Sequence, residues 1–356
     1  MMKVFTKIFM ILILPLILIG SVNFYIDPDY SLRNNYISPL VASLVEGKLI
    51  AGPVNVNSRL LKKEWIEQLP LTPDILVLGS SRTLALSQEV FPGRSFFNAS
   101  VTNCTFQDMY AFLNLVEKKG KDLPDTIIVC ADQWLFGNSF TEKRWLENRS
   151  EAIEMIQKVG IIPLKKFPSK WNIDKEWIKE LFSVRYLFRS VRSMGKVEKF
   201  EVCQSFQPDK MMFLPDGSRS VPQRVINAPE KEISENARNY FNASKDEYFT
   251  ELDKFQCTLF EGLIKYLNAN HCKIILFIPP YHPETLRLLE QSNQTSGVMK
   301  AEIYLQIFAQ THNLELIGGN HPDSLNLSAI DFYDGVHLKP ESLNRFFKIN
   351  LGKLGR

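Results

Sequence analysis

The segment Ile75-Leu76-Val77-Leu78 is apolar at every position and is halted by Gly79. A strand that is apolar on both faces must be covered on both, which in soluble domains means a parallel sheet held between helices. Ser95-Phe96-Phe97-Asn98, Thr126-Ile127-Ile128-Val129-Cys130, Lys273-Ile274-Ile275-Leu276-Phe277-Ile278 and Leu314-Glu315-Leu316-Ile317 read as four further strands. Between them lie stretches with a 3.6-residue apolar period. These are Phe106, Met109, Tyr110, Leu113 and Val116; then Leu252, Phe255, Leu259, Leu263 and Leu267; then the helix expected near Lys300 to His312. The expectation is an α/β domain with a parallel sheet covered on both sides.

The strands occupy 74–134 and 251–356, which leaves 135–250 as a mainly helical inserted cap. Within it, residues 143–199 carry 14 Lys/Arg against 7 Asp/Glu. That excess suits an anionic polymer or lipid headgroups, and equally a solvated helical surface. In Met212-Phe213-Leu214-Pro215-Asp216-Gly217-Ser218 the Asp-Gly pair predicts a tight hairpin. Residues 30–73 read as a juxtamembrane segment with an amphipathic helix near Arg59 to Leu69 and the linker Leu69-Pro70-Leu71-Thr72-Pro73.

Residues 1–29 read as a signal anchor. Ile8 to Val22 is apolar apart from Pro15, Gly20 and Ser21, and Asn23-Phe24-Tyr25-Ile26 extends it. Lys3 and Lys7 precede the run; Asp27 and Asp29 follow it. This suits a single span with its N-terminus in the cytoplasm and the bulk of the chain outside. A signal peptide cut near Gly20-Ser21 is the competing reading, and it exports the domain too.

Composition excludes some classes. A chain that is 45% hydrophobic and 23% charged is not wholly disordered. A net charge of +3 without a basic arm or zinc-finger spacing gives no footing for nucleic acid. Cys104, Cys130, Cys203, Cys257 and Cys272 contain no Cys-x-x-Cys pair. Their odd number leaves at least one free thiol and leaves one or two disulfides open. No His/Asp/Glu set has metal-ligand spacing, so neither a metal nor another cofactor is expected.

Two segments carry chemistry. In Leu78-Gly79-Ser80-Ser81-Arg82 a buried strand ends, turns at glycine and presents hydroxyls where a helix should begin. Ligands of open α/β sheets collect at such carboxyl ends, and amide groups there can hold an oxyanion. Serine is equally a preferred helix N-cap, so the turn alone does not decide between the two roles. The second segment is Asp331-Phe332-Tyr333-Asp334-Gly335-Val336-His337-Leu338-Lys339-Pro340. A serine hydroxyl needs a base, and a histidine oriented by a carboxylate supplies one. Asp334 and His337, three residues apart in a loop entering a helix, have the spacing for it.

Together these segments resemble the SGNH (GDSL-like) esterase and acyltransferase superfamily. Gly79-Ser80-Ser81 matches its nucleophile turn, with Ser81 at the nucleophile position, although a one-residue shift exchanges it with Ser80. Asp334-Gly335-Val336-His337 matches its C-terminal motif, with the following helix near Glu341 to Phe347. The resemblance implies a flavodoxin-like three-layer domain and a catalytic triad of Ser81, Asp334 and His337. At the family's Asn-x-Gly the chain reads Asn98-Ala99-Ser100, which assigns the Ser100 N–H to the oxyanion hole. At its Gly-x-Asn-Asp the chain reads Cys130-Ala131-Asp132-Gln133-Trp134, so Asp132 or Gln133 takes the amide position. Gln133 is the better donor, because a carboxylate would repel an oxyanion. These departures resemble exported members that move acetyl or D-alanyl esters on envelope polymers. His282, after the fourth main strand, is a candidate for the substrate pocket, whereas His271 and His312 suit helix C-termini.

The resulting expectation is a membrane-anchored serine esterase or O-acyltransferase. Its substrate would be an acyl ester linked to polysaccharide or lipid, and its partners the cytoplasmic membrane and a membrane-bound acyltransferase. Two other classes stand beside it: a non-catalytic partner in a polysaccharide modification or export complex, and a phosphate- or nucleotide-binding protein using the Gly79 turn.

Overall fold

The computed structural model describes residues 7–28, 30–52, 56–120, 122–139, 141–161, 171–195 and 199–354; Lys3 and Asp29, the outer flanking charges, lie outside them. A π-helical turn, Phe9–Ile13, runs into α1 (Leu14–Ile26), and α2 (Ile37–Val45), β1 (Leu49–Ala51) and α3 (Ser58–Gln68) follow. The α/β body begins with β2 (Ile75–Leu78), β3 (Phe96–Asn98), α4 (Phe106–Lys119) and β4 (Thr126–Cys130). The insertion contains α5 (Arg149–Lys158), α6 (Trp171–Leu181), α7 (Val184–Ser193), β5 (Glu201–Cys203), β6 (Met212–Phe213), α8 (Gln223–Ile226) and α9 (Glu230–Ala243). The body resumes with α10 (Lys254–Ala269), β7 (Lys273–Ile278), α11 (Pro283–Gln291), α12 (Ser296–Thr311), β8 (Glu315–Gly318) and α13 (Pro340–Leu354).

The main sheet has the order β3-β2-β4-β7-β8, and every neighbouring pair is parallel. Counting only its own strands, the order is 2-1-3-4-5, a doubly wound arrangement whose direction of growth reverses beside the first strand. Alternation along each strand splits the apolar side chains between two faces. Leu76, Leu78, Ile127, Val129 and Leu276 join a core formed with α3, α4, α10 and α12. Ile75, Val77, Ile128, Cys130 and Phe277 face Leu343, Phe346 and Phe347 of α13 together with Leu86, Val90 and Phe91. Leu76, Ile127 and Leu276 are fully buried, and each such side chain contributes roughly 1.5–3 kcal/mol. The domain is therefore three-layered.

The segment read as juxtamembrane is built into this body. Ile37, Val41, Leu44, Leu61 and Trp65 are buried in the same core as the sheet. Arg59 meets Asp108 of α4 through two hydrogen bonds of 2.8 Å, both partners buried. β1 pairs antiparallel with β5 and β6, which joins this segment to the insertion in a second, three-stranded sheet. The expected hairpin is present: Phe213 bridges Arg219, and Gly217 N donates to Leu214 O at 2.9 Å. Its turn abuts the main sheet, where Asn98 N donates to Asp216 O at 2.8 Å. The insertion is mostly helical, but α5 packs along α4 instead of arching over the sheet.

Phe9–Ile26 is long and apolar enough to cross a membrane, with a mean hydropathy of 2.3 over 18 residues. All five cysteines are free thiols, so none of the disulfides left open by the sequence is formed.

Candidate active site

The Gly79-Ser80-Ser81 turn follows from packing at the end of β2. A Cβ on Gly79 would lie 2.3 Å from Thr83 Oγ1 and 2.6 Å from Cys130 Cβ, so only glycine lets the chain turn between these neighbours. Ser80 is fully buried, and its Oγ accepts from Arg82 N at 3.2 Å as the N-cap of the short 3₁₀ turn Ser81–Thr83. Ser81 is partly exposed, with its Oγ 2.8 Å from His337 Nε2. The two adjacent serines thus have separate tasks. As the first residue of the turn, Ser81 has an N–H that the helical pattern leaves without an acceptor.

The other half of the site is a tight loop closed by the Phe332–Leu338 bridge and by Tyr333 N donating to His337 O at 3.1 Å. Asp334 Oδ1 accepts from Val336 N at 2.9 Å and from His337 N at 2.8 Å; Oδ2 lies 2.7 Å from His337 Nδ1. Burial works to raise the Asp334 carboxyl, but the neighbouring imidazole and these hydrogen bonds outweigh it, and the pKa falls below the usual range. A carboxylate only accepts, so the imidazole proton sits on Nδ1 and the Nε2 lone pair faces the Ser81 hydroxyl. Tyr333 stacks on the imidazole, with ring centroids 5.3 Å apart and planes 2° from parallel. That contact fixes the plane of the ring.

Arg82 binds the two halves together. It is buried under Ser81, where Nε donates to Val336 O at 3.1 Å, Nη1 to Gln133 Oε1 at 3.0 Å and Nη2 to Pro279 O at 3.1 Å. Its guanidinium also lies 4.4 Å from the centre of the Tyr281 ring. Nothing in the sequence pattern singled out Arg82 or Tyr333; their only signal was adjacency to Ser81 and Asp334.

The structure brings Ser81, His337 and Asp334 together, and it employs the other four candidates differently. Ser100 was expected to offer its N–H to an oxyanion, but that N–H donates to Asn98 Oδ1 at 2.9 Å and the Ser100 hydroxyl pairs with Thr83 Oγ1. The Gln133 amide is likewise committed, with Nε2 donating to Pro279 O at 2.9 Å and to Asn320 Oδ1 at 2.5 Å. Asp132 is buried 3.6 Å from Arg82 Nη1 as its counter-ion; burial raises its pKa and the arginine opposes that rise. His282 caps α11, its Nδ1 accepting from Glu284 N at 3.1 Å, and its ring packs edge-on against Phe332. His282 N also donates to Gly335 O at 3.1 Å, so this buried residue helps to hold the histidine loop. The polar groups of Ser100 and Gln133 are thus engaged within the protein, whereas Asp132 Oδ1 and His282 Nε2 are buried without a hydrogen-bond partner.

Among the described residues, no three His, Cys, Asp or Glu side chains converge on a metal site. The geometry is that of a serine hydroxyl activated by an oriented imidazole at the carboxyl rim of the sheet. No protein-family model matches the chain, and no curated protein aligns with it significantly.

Proposed function

We propose that this chain is an exported, membrane-anchored serine ester hydrolase or O-acyltransferase of the SGNH-like kind, working through an acyl-enzyme. The observation that carries the reading is the continuous chain from Ser81 Oγ to His337 Nε2 at 2.8 Å and from His337 Nδ1 to Asp334 Oδ2 at 2.7 Å. The nucleophile after the first main strand, the 2-1-3-4-5 strand order and the Asp-x-x-His before the last helix all support it.

Ser81 Oγ attacks the ester carbonyl while His337 takes its proton, and the Ser81 N–H receives the developing oxyanion. His337 then returns the proton to the departing alkoxide. Water or a sugar hydroxyl, deprotonated in turn by His337, takes the acyl group, and His337 passes that proton to the departing Ser81 Oγ. The apolar N-terminal helix and the basic insertion favour an acyl ester of an envelope polysaccharide or a membrane-linked carrier.

A second reading is a non-catalytic partner that keeps the fold. Its support is that both additional oxyanion donors expected from the sequence, Ser100 N–H and the Gln133 amide, are bonded within the protein. A fluorophosphonate probe and a short-chain p-nitrophenyl ester separate the two. The enzyme reading expects labelling and turnover that vanish in Ser81→Ala and His337→Ala but persist in Ser80→Ala. A folded wild type that neither labels nor turns over leaves the non-catalytic reading.

A further inference from the structure

Helix α7 has three distinct faces. Val184, Phe188 and Val191, spaced i, i+4 and i+7, form one stripe and are 53%, 67% and 52% exposed. Arg185, Arg189 and Arg192 repeat that spacing one residue later, about 100° further round the helix, and are exposed as well. Tyr186 and Ser190 occupy the third face and are buried. That inner face meets α1: Ser190 Oγ donates to Asn23 Oδ1 at 3.3 Å, and Tyr186 Oη to Asp27 Oδ1 at 2.7 Å. An apolar stripe this exposed, continued by Ile178 and Phe182, calls for an occupant.

The contacts with α1 give its level. Asn23 Nδ2 donates to Leu181 O at 2.9 Å and to Ser183 O at 3.0 Å, which seats the α6–α7 turn beside the end of α1. Below it, Phe182 packs on Gly20, where an added Cβ would stand 3.0 Å from the ring. Gly20 precedes Ile26 by six residues, roughly 9 Å along a helix axis. With α1 spanning a bilayer, Phe182 lies that far below the point where α1 ends. Amphipathic helices in the membrane plane bury their apolar faces by about 5–10 Å.

We infer that α6 and α7 form a second, monotopic membrane contact, with the phospholipid bilayer as the occupant of the Phe182, Val184, Phe188 and Val191 surface. Arg185, Arg189 and Arg192 meet the phosphates of the same leaflet. This rests on the reading of α1 as a membrane span and deepens it. Asp27 accepts from the N–H groups of Ser31, Leu32 and Arg33, so the chain leaving α1 is held and not loose. Two joined contacts fix the tilt of the catalytic domain over the lipid surface, where a single tether would let it swing.

Nitroxide labels test this in the full chain, carried on Cys257→Ser to remove the one partly exposed thiol and reconstituted in phosphatidylcholine–phosphatidylglycerol vesicles. Labels are placed at Leu16, Phe188 and Arg185, and their accessibilities to oxygen and to a water-soluble nickel chelate are compared. The expected result is a deep Leu16 label, a Phe188 label roughly 5–10 Å below the phosphates, and an Arg185 label open to nickel. A Phe188 label as open to nickel as Arg185, with Leu16 still immersed, overturns the second contact and leaves the anchor standing. A Leu16 label in water overturns the anchor itself, and the inference with it. If Phe188→Cys fails to fold, Val191→Cys reports from the same stripe.

Discussion

Arg82 Nε donates to Val336 O at 3.1 Å, joining the residue after Ser81 to the residue before His337. The Ser81–His337 distance therefore depends on a buried guanidinium that touches neither reacting atom. Arg82→Lys keeps the charge but loses the planar fork that reaches Val336, Gln133 and Pro279 at once. Its ester turnover is expected to fall about 100-fold in kcat, with KM little changed, because only alignment is lost. Arg82→Met should cost about 3–5 kcal/mol by urea unfolding, since Asp132 is left buried and unpaired. Adding Asp132→Asn should recover part of that loss. Additive losses would show that the 3.6 Å pair is not coupled.

The strands were legible because strands buried on both faces leave uninterrupted apolar runs, and Ile75–Leu78, Thr126–Cys130 and Lys273–Ile278 lie where those runs predict. Asp334 and His337 were legible as a pair from their three-residue spacing, and Ser81 from its place at the strand rim. Only the resemblance to the SGNH superfamily joined the serine to that pair, with His337 256 residues away. The Arg82–Gln133–Asn320 network was not, since its members stand 51 and 187 residues apart with no period to link them. The same holds for 30–73. An amphipathic helix announces that something covers it but not what, and here the cover is the main core.

Asp334 holds His337 in place and carries an acid-sensitive share of stability. Its folded pKa lies below that of the unfolded chain, so its contribution is complete above the unfolded value of about 3.9 and disappears as pH falls through the folded value. Asp334→Asn lacks this term. The stability gap between wild type and variant should close below about pH 4 in urea titrations. Near neutrality the variant should lose roughly 10⁴-fold in kcat, because an amide can hold the wrong imidazole tautomer. A gap independent of pH would mean that the carboxylate is not stabilised by His337.

The thiols offer a check on the core. Cys104, Cys130, Cys203 and Cys272 are buried, and burial pushes Cys257 and Cys272 up to about 11. Since the thiolate is the reactive form, the native protein at pH 8 should react slowly with Ellman's reagent, and first at Cys257. In denaturant without reductant all five should react. Fewer than five would reveal a disulfide that this fold does not contain.

Lys62 gives the clearest titration. Its Nζ is buried, donates to Asn98 O at 2.6 Å and also to Gly217 O, and so ties α3 to the end of β3 and to the inserted hairpin. Burial lowers its pKa to about 7; Asp216 pulls it up and Arg219 pushes it down. Below that pH the lysine is charged in both states, and the folded one bears a desolvated cation. Between about 7 and the unfolded value near 10.4, the unfolded chain holds a proton that the folded chain has released, so stability rises with pH across that window. Lys62→Met has no such slope. Measured against that variant, the wild type should gain up to a few kcal/mol between pH 6.5 and pH 10, at roughly 1.4 kcal/mol per unit of displacement. At the upper end the neutral amine still donates to both carbonyls, and the wild type should be the more stable protein. A difference that stays flat would mean that Lys62 keeps its proton and that water reaches the Asn98–Gly217 junction.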